Sequence, residues 1–263
     1  MALAKQDLDC LLGTAVTAMQ RGDFVAAHEA ASQGINAGAE HPLLLKIEAL
    51  WLHANGHYRD ALRMFHHART LTPEDPSILN GIAGSLAGMG AYSAALKITD
   101  ESLRIAPNVA ATHHLRGWIL ELRGELAPAR QAYERALAFS PNFLEAAAGI
   151  ALVAAQTKDY GAARSYAASV MAVLPHEPNA RIAMAIANAA QGKASLAENE
   201  LNAIIASESL PNRIRAVAWG AVADALETQQ RPVEAASARA KKDELLSAEP
   251  APIEEAVDEF DTL

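Results

Sequence analysis

The chain has 263 residues and more acidic than basic side chains, with 31 Asp and Glu against 22 Lys and Arg, so its formal charge is −9. This charge argues against binding to a nucleic-acid backbone, and the single cysteine, Cys10, excludes a disulfide framework and a cysteine-based zinc site. Hydrophobic residues make up 51% of the chain but aromatic residues only 5%, and alanine alone contributes 60 residues. Because alanine is the strongest helix former, this composition favours a helical protein.

The N-terminal segment, residues 1–20, carries Lys5, Asp7 and Asp9 and lacks the continuous apolar stretch of a secretory signal peptide. No run anywhere in the sequence approaches the ~18 consecutive apolar residues that are needed to span a bilayer. We therefore expect a cytoplasmic protein that does not insert into a membrane.

A period of 34 residues begins after this segment, and it is marked by Pro73, Pro107, Pro141 and Pro175. Proline cannot continue a helix, so each of these residues predicts a turn between two helices. The same period divides most of the chain into six blocks. These are residues 8–41, 42–75, 76–109, 110–143, 144–177 and 178–211.

Small residues recur at fixed positions of these blocks. The twentieth residue is always alanine, namely Ala27, Ala61, Ala95, Ala129, Ala163 and Ala197. The eighth residue is alanine or glycine, namely Ala15, Ala49, Ala83, Gly117, Ala151 and Ala185. Small side chains at these positions allow two antiparallel helices to approach closely. The fifteenth residue is glycine in every block except the fifth, which has Lys158, and it predicts a turn after the first helix. Each block thus predicts helix A, a glycine turn, helix B and a proline turn.

The remainder of the chain is less regular. Residues 213–247 predict a long A helix and then a polar helix that caps the stack. The acidic tail, residues 248–263, carries six of the nine net negative charges and no Lys or Arg, and we expect it to be disordered on its own. Its apolar residues Ile253, Val257, Phe260 and Leu263 are spaced as in an amphipathic helix. A purely solubilising acidic tail is the preferred interpretation, and docking in the chain's own groove or in another protein is the alternative that this spacing offers.

The 34-residue period, with its small residues, turn glycine and closing proline, resembles the tetratricopeptide repeat (TPR) family. The resemblance covers residues 8 to 247, almost the whole chain. The resemblance implies an all-α fold, a right-handed superhelical solenoid of antiparallel helix pairs, which we assign to residues 1–247. Three positions depart from the family pattern: Ala39 stands where proline is expected, Lys158 replaces a turn glycine, and one closing proline comes late, at Pro211.

The family resemblance also implies a concave groove, lined by positions 2, 5, 9 and 12 of each A helix, which form one helical stripe. The candidate partner-binding residues at these positions are Lys46, Leu50, His53, Asn80, His114, Trp118, Glu121, Leu152, Ile182 and Ile186. The polar middle around Trp118 is the preferred contact patch, because tryptophan is enriched in interface hot spots. The later apolar residues suit an apolar peptide or an amphipathic helix. Packing inside the solenoid is the alternative for both groups.

No motif predicts catalysis, a metal site or a cofactor. His53 and His57 have a helical ligand spacing, but Gly56 ends the helix between them. The sequence contains no G-x-S-x-G nucleophile turn, and the glycines at 81, 84 and 88 fall within a predicted A helix, where they allow close packing. We therefore expect a chain that is not an enzyme.

Three functions compete. The first is a non-catalytic bacterial scaffold that binds a peptide or partner protein in its groove. The second is the accessory region of an enzyme, because residues 144–240 loosely resemble the repeat region that precedes bacterial sulfotransferase domains. The third is an accessory factor in envelope or secretion assembly, which would require an export or membrane signal.

Overall fold

The computed structural model describes residues 4–248, and every regular element in that range is an α-helix. The fourteen helices of this range are α1 (Lys5–Gln20), α2 (Phe24–Asn36), α3 (Pro42–Ala54), α4 (Tyr58–Leu71), α5 (Pro76–Gly88), α6 (Tyr92–Ile105), α7 (Ala110–Leu122), α8 (Leu126–Phe139), α9 (Leu144–Gln156), α10 (Tyr160–Met171), α11 (Pro178–Ala189), α12 (Ala194–Ile205), α13 (Asn212–Thr228) and α14 (Pro232–Ser247). The predicted all-α fold is confirmed. No helix among residues 4–248 is both long enough and apolar enough to cross a bilayer.

The described residues divide into two compact units, residues 4–115 and residues 116–248. The boundary falls within α7, whose first six residues belong to the first unit and whose remaining residues belong to the second. Part of the first core is built from α1, α2 and α3 and includes Leu44 and Ile47. The second unit buries one cluster around α9, α10 and α11 and another around α11 to α14.

The small-residue columns lie where the two helices of each pair meet. The alanines at the eighth and twentieth positions are 0 or 1% exposed, namely Ala15, Ala27, Ala49, Ala61, Ala83, Ala95, Ala129, Ala151, Ala163, Ala185 and Ala197. A larger side chain at any of these positions has no space to enter without moving a helix.

The turn inside each pair uses a left-handed backbone residue. Most of these residues are glycine, but Lys158 has φ 64° and Gln230 has φ 59°. A left-handed conformation costs a residue with a Cβ atom about 1–2 kcal/mol. The turns before α10 and α14 therefore hold a strain that the glycine turns avoid.

The last pair, α13–α14, repeats the same columns after an insertion. Ala223 and Ala235 are both 0% exposed, and they follow Ala185 and Ala197 by 38 residues in place of 34. The four additional residues lie before Ala223, where α13 extends to 17 residues. The pair that the sequence analysis describes as irregular therefore has regular helix-to-helix packing and a longer first helix.

Helical glycines accept aromatic rings from the preceding or following B helix. A Cβ atom at Gly117 or at Gly149 would lie 2.6 Å from the ring of Tyr133, and the Phe65 ring lies against Gly81 in the same way. These glycines cost helix stability, about 1 kcal/mol each relative to alanine, but they admit a buried ring. The same contact explains two of the glycines that the sequence places inside a predicted A helix, Gly81 against Phe65 and Gly88 against the Tyr58 ring.

Candidate protein-binding surface

In the first unit, polar side chains on one side of α3 and α5 link neighbouring A helices. We call Lys46, Leu50, His53 and Asn80 the α3–α5 surface. The Lys46 ammonium donates to Ser77 Oγ at 2.9 Å and lies 3.6 Å from the Asp75 carboxylate. Lys46 is thereby held in one orientation while its side chain remains partly exposed.

His53 continues this set one helical turn beyond Leu50. Its Nδ1 lies 3.2 Å from Ser85 Oγ, and its ring meets Tyr58 edge-on at 5.1 Å. Burial lowers the pKa of His53, so the imidazole is neutral at neutral pH. A neutral His53 adds hydrogen-bonding capacity to this surface without adding charge.

Asn80 uses both ends of its amide. Its Nδ2 donates to Thr112 Oγ1 at 2.9 Å, and its Oδ1 accepts from Ser102 Oγ at 3.2 Å. Between these polar groups, Leu50 is 40% exposed. The α3–α5 surface therefore combines one accessible apolar side chain with fixed polar neighbours, which is the composition of many peptide-binding sites.

The predicted patch around Trp118 is divided by the unit boundary. His114 is half-buried in the first unit, whereas Trp118 and Glu121 are half-buried in the second. Glu121 accepts a hydrogen bond from the Tyr133 hydroxyl at 2.8 Å. Burial raises the pKa of Glu121, although the Tyr133 hydrogen bond and the charge of Arg213 act in the opposite direction. Burial and the Glu121 carboxylate together hold the pKa of Tyr133 well above its ordinary value.

The apolar candidates of the second unit lie in its core. Leu152 is 1% and Ile182 is 0% exposed, and Ile186 is half-buried at the edge of the same cluster. This cluster includes Ala218 and Val222 of α13. Leu152 and Ile182 therefore face the protein's own helix, and no partner reaches them while α13 stays in place.

The longer α13 also reaches the beginning of the second unit. Arg213 Nη2 donates to the backbone oxygen of Leu122 at 3.4 Å, across 91 residues of chain. Arg215 Nε donates to the Ile205 oxygen at 2.9 Å. The N-terminal part of α13 is thus fixed over the A helices of its own unit.

The described residues show no arrangement suited to metal binding. Residues 4–248 contain no group of three or more His, Cys, Asp and Glu side chains placed to hold a metal ion. Helix α3 ends at Ala54, so His53 and His57 do not share a helix. An open cavity of about 510 Å³ between α1 and α2 is lined by Thr14 and Thr17, whose hydroxyls donate to carbonyls of their own helix.

The sequence matches no protein-family model and no curated protein. Solved structures match it in fold. A tetratricopeptide repeat protein from Parabacteroides merdae is 17% identical with a TM-score of 0.59, and the match covers 97% of each chain. The chain has the tetratricopeptide-repeat fold.

Two further solved structures match the chain in fold. The Cut9–Hcn1 hetero-tetramer of the APC/C matches at 15% identity and a TM-score of 0.66, over 90% of this chain and 46% of that one. Pseudomonas aeruginosa PilF matches at 14% identity and a TM-score of 0.61, over 76% and 90% of the two chains. At these identities the likeness concerns the fold alone.

The side chains that hydrogen-bond to the candidate residues His53 and Asn80 were not predicted from the sequence. Ser85 and Thr112 each lie 32 residues after the side chain they contact. That spacing is close to one repeat, so a comparison of adjacent blocks contains the signal. The cover that α13 provides for Leu152 has no such signal, because it depends on the inserted residues.

Proposed function

We propose that this TPR chain is a non-catalytic interaction scaffold that binds a peptide or a partner protein on the α3–α5 surface of its first unit. The observation that carries the proposal is the exposure of Leu50, an apolar side chain at an A-helix position. The corresponding apolar side chains of the second unit are covered by α13. An exposed leucine between fixed polar groups loses water when a complementary surface binds.

The chemistry of the α3–α5 surface indicates the kind of segment that fits. Leu50 offers apolar contact, the Lys46 ammonium offers a positive charge, and the exposed Ser77 hydroxyl lies beside that ammonium. A segment with an apolar side chain next to a carboxylate matches this arrangement. A solved structure with the same fold belongs to the Cut9–Hcn1 hetero-tetramer, which supports a protein partner for this chain.

A peptide-display selection on the full chain tests the proposal. Selected peptides are then titrated by fluorescence anisotropy against the parent, Leu50→Asp and Leu71→Asp. Leu71 is a matched control, because it is also 40% exposed but lies at the end of the B helix α4. Loss of a central apolar contact costs about tenfold or more in Kd, so Leu50→Asp weakens binding and Leu71→Asp does not. Equal binding by both variants would exclude this surface.

The cytoplasmic, bacterial setting belongs to the proposal and rests on the sequence. The roles in a sulfotransferase system and in envelope assembly stay alternatives. Docking of the tail residues Ile253, Val257, Phe260 and Leu263 in the chain's own groove concerns a segment outside the described residues and also stays a prediction.

A further inference from the structure

The outward side of the last helix pair differs chemically from the same side of every earlier pair. Two positions of the B helix, the twenty-fourth and twenty-seventh of the repeat, face the next A helix. The twenty-fourth residue is 0 or 1% exposed in all six earlier pairs, as Ala31, Phe65, Thr99, Tyr133, Ala167 and Leu201. The twenty-seventh is buried in all six, as Gly34, Ala68, Ser102, Ala136, Val170 and Ile204. With the four-residue displacement, the equivalent residues of α14 are Arg239 and Lys242.

These two cations form what we call the end face. The Arg239 side chain is 45% exposed and pairs with Glu227 and Asp224 of α13. The stem of Lys242 lies over Gly220, with its Cδ 3.6 Å from the place of a glycine Cβ. Among the described residues, no carboxylate lies within ion-pair distance of the Lys242 ammonium. The end face therefore presents the Lys242 ammonium, and an Arg239 guanidinium that is paired with Glu227 and Asp224, where earlier pairs present apolar or small side chains.

The chain that follows α14 has the opposite charge. Residues 249–263 contain six carboxylate side chains and no Lys or Arg. They lie outside the described residues, but they are tethered directly to the end of α14. A tether of this length gives the segment a high effective concentration at the end face.

The spacing of this segment fits a further A helix. At all six earlier junctions, the next A helix begins eleven residues after the twenty-fourth position, as from Phe65 to Pro76 and from Tyr133 to Leu144. Eleven residues after Arg239 stands Pro250. Proline also occupies the first turn of α3, α5, α11 and α14, where its missing N–H costs no hydrogen bond.

The same spacing gives the contact partner of Arg239. Phe65 lies against Gly81 and Tyr133 against Gly149, each 16 residues later. Sixteen residues after Arg239 stands Glu255. We propose that residues 249–263 bind the α13–α14 end face as a helix, with the carboxylate of Glu255 facing Arg239 and Lys242. The occupant is the chain's own tail, because charge and connection length both select it.

The rate at which chymotrypsin cleaves after Phe260 in the full chain tests the proposed docking. Mass spectrometry measures the release of residues 261–263. Cleavage reports the fraction of undocked tail when docking is fast, so a tenfold change in rate is a tenfold change in that fraction. We expect the double variant Glu254→Lys/Glu255→Lys to be cleaved about tenfold faster than the parent. The substitutions lie outside the folded core, so folding of the repeats is unaffected.

Compensation completes the test. Arg239→Glu/Lys242→Glu speeds cleavage in the same way, and combining it with the tail reversal restores protection, as a double-mutant cycle requires. The matched control, Lys97→Glu/Arg135→Glu, reverses two exposed cations elsewhere and changes nothing. Equal cleavage of the parent and the tail reversal overturns the proposal. Release by Leu50→Asp alone overturns it in favour of the α3–α5 surface. Protection that grows with protein concentration overturns it in favour of a second copy.

Discussion

In the first unit, Leu50 of α3 is 40% exposed, whereas Leu152, at the same repeat position in α9 of the second unit, is 1% exposed. The fifth position differs as well, since Lys46 and Asn80 in the first unit are replaced by Ala148 and Ile182 in the second. Both units use the same fold and the same helix columns. The contrast shows that a repeat position determines which way a side chain points but not what lies on top of it.

The cover in the second unit comes from its own last A helix. The N-terminal part of α13 brings Ile214 and Val217 against the cluster that contains Leu152. In the first unit, polar bridges such as Lys46 to Ser77 and Asn80 to Thr112 hold adjacent A helices together. One unit thus leaves an apolar side chain exposed beside polar groups, and the other buries the equivalent side chain in its core.

The largest expected effect comes from truncating the two leucines. Leu152→Ala is expected to lower the free energy of unfolding by about 2–5 kcal/mol, because it leaves a cavity under α13. Leu50→Ala is expected to cost about 1 kcal/mol or less, because its side chain already contacts water. Urea denaturation followed by far-UV circular dichroism measures both values. Equal losses would mean that the two surfaces are covered alike.

A smaller effect is expected where rings meet glycines. Gly149→Ala places a Cβ 2.6 Å from the buried Tyr133 ring, and we expect a loss of about 1–3 kcal/mol from overpacking. Gly161→Ala is the matched control in α10, since its nearest neighbour is an Asp159 oxygen at 3.9 Å. It is expected to gain up to about 1 kcal/mol through helix propensity.

The first unit offers the same pair of substitutions. Gly81 lies against the Phe65 ring, whereas a Cβ at Gly13 meets no atom within 4 Å. Gly81→Ala is expected to destabilise and Gly13→Ala to stabilise, as in the second unit. If the unit 1 pair showed no difference in denaturation midpoint, the ring-to-glycine contact would be particular to Tyr133.

A smaller difference in stability is expected at the turn residues of the two units. The turns of the first unit use glycine, as at Gly56, whereas the second unit has Lys158 in the left-handed region. Lys158→Gly is expected to raise the free energy of unfolding by about 0.5–1 kcal/mol, the strain relieved minus the entropy that glycine adds to the unfolded chain. Gly56→Lys is the reverse experiment and should lower the thermal midpoint. A neutral result for both would show that these turns are not strained.

The smallest expected effect is a pH dependence at Glu121. Burial raises its pKa in the folded chain, so the native state holds its proton above the pH at which the unfolded chain releases it. Stability therefore falls as pH rises through the interval between the unfolded and folded pKa values. Glu121→Gln keeps an acceptor for the Tyr133 hydroxyl and removes the titration. Its stability relative to the parent should be higher at pH 7 than at pH 4, and a difference independent of pH would contradict this assignment.

Much of the fold was predictable because the period acts on the backbone and on small side chains. A glycine at the fifteenth position and an alanine at the twentieth each have a local consequence, a turn or a close helix contact, that needs no knowledge of distant residues. The four-residue insertion before Ala223 was not predicted from the sequence. Four extra residues within a helix add about one turn and leave its hydrophobic pattern almost unchanged. In the structure, the buried residues Ala223 and Ala235 show where the repeat resumes after the insertion.

The candidate surface was less predictable than the fold. Lys46, Leu50 and Asn80 fall where an inner stripe was expected, but Leu152 and Ile182 carry the same pattern and are buried. Their cover comes from Ala218 and other residues of a helix more than thirty positions later. Burial of that kind depends on how several pairs stack, and no single block contains it.

Helix α13 contacts helices made much earlier, as the hydrogen bond from Arg213 to Leu122 shows, and this order of synthesis has a consequence for biosynthesis. A growing chain that leaves the ribosome at 5–20 residues per second presents α9 on the order of ten seconds before α13 has been made. During that delay Leu152 and Ile182 lack the contacts that α13 supplies, which leaves them more available to chaperones or to neighbouring nascent chains. The second unit therefore depends on the late arrival of its last helices, and a premature stop codon ahead of α13 would yield an aggregation-prone fragment.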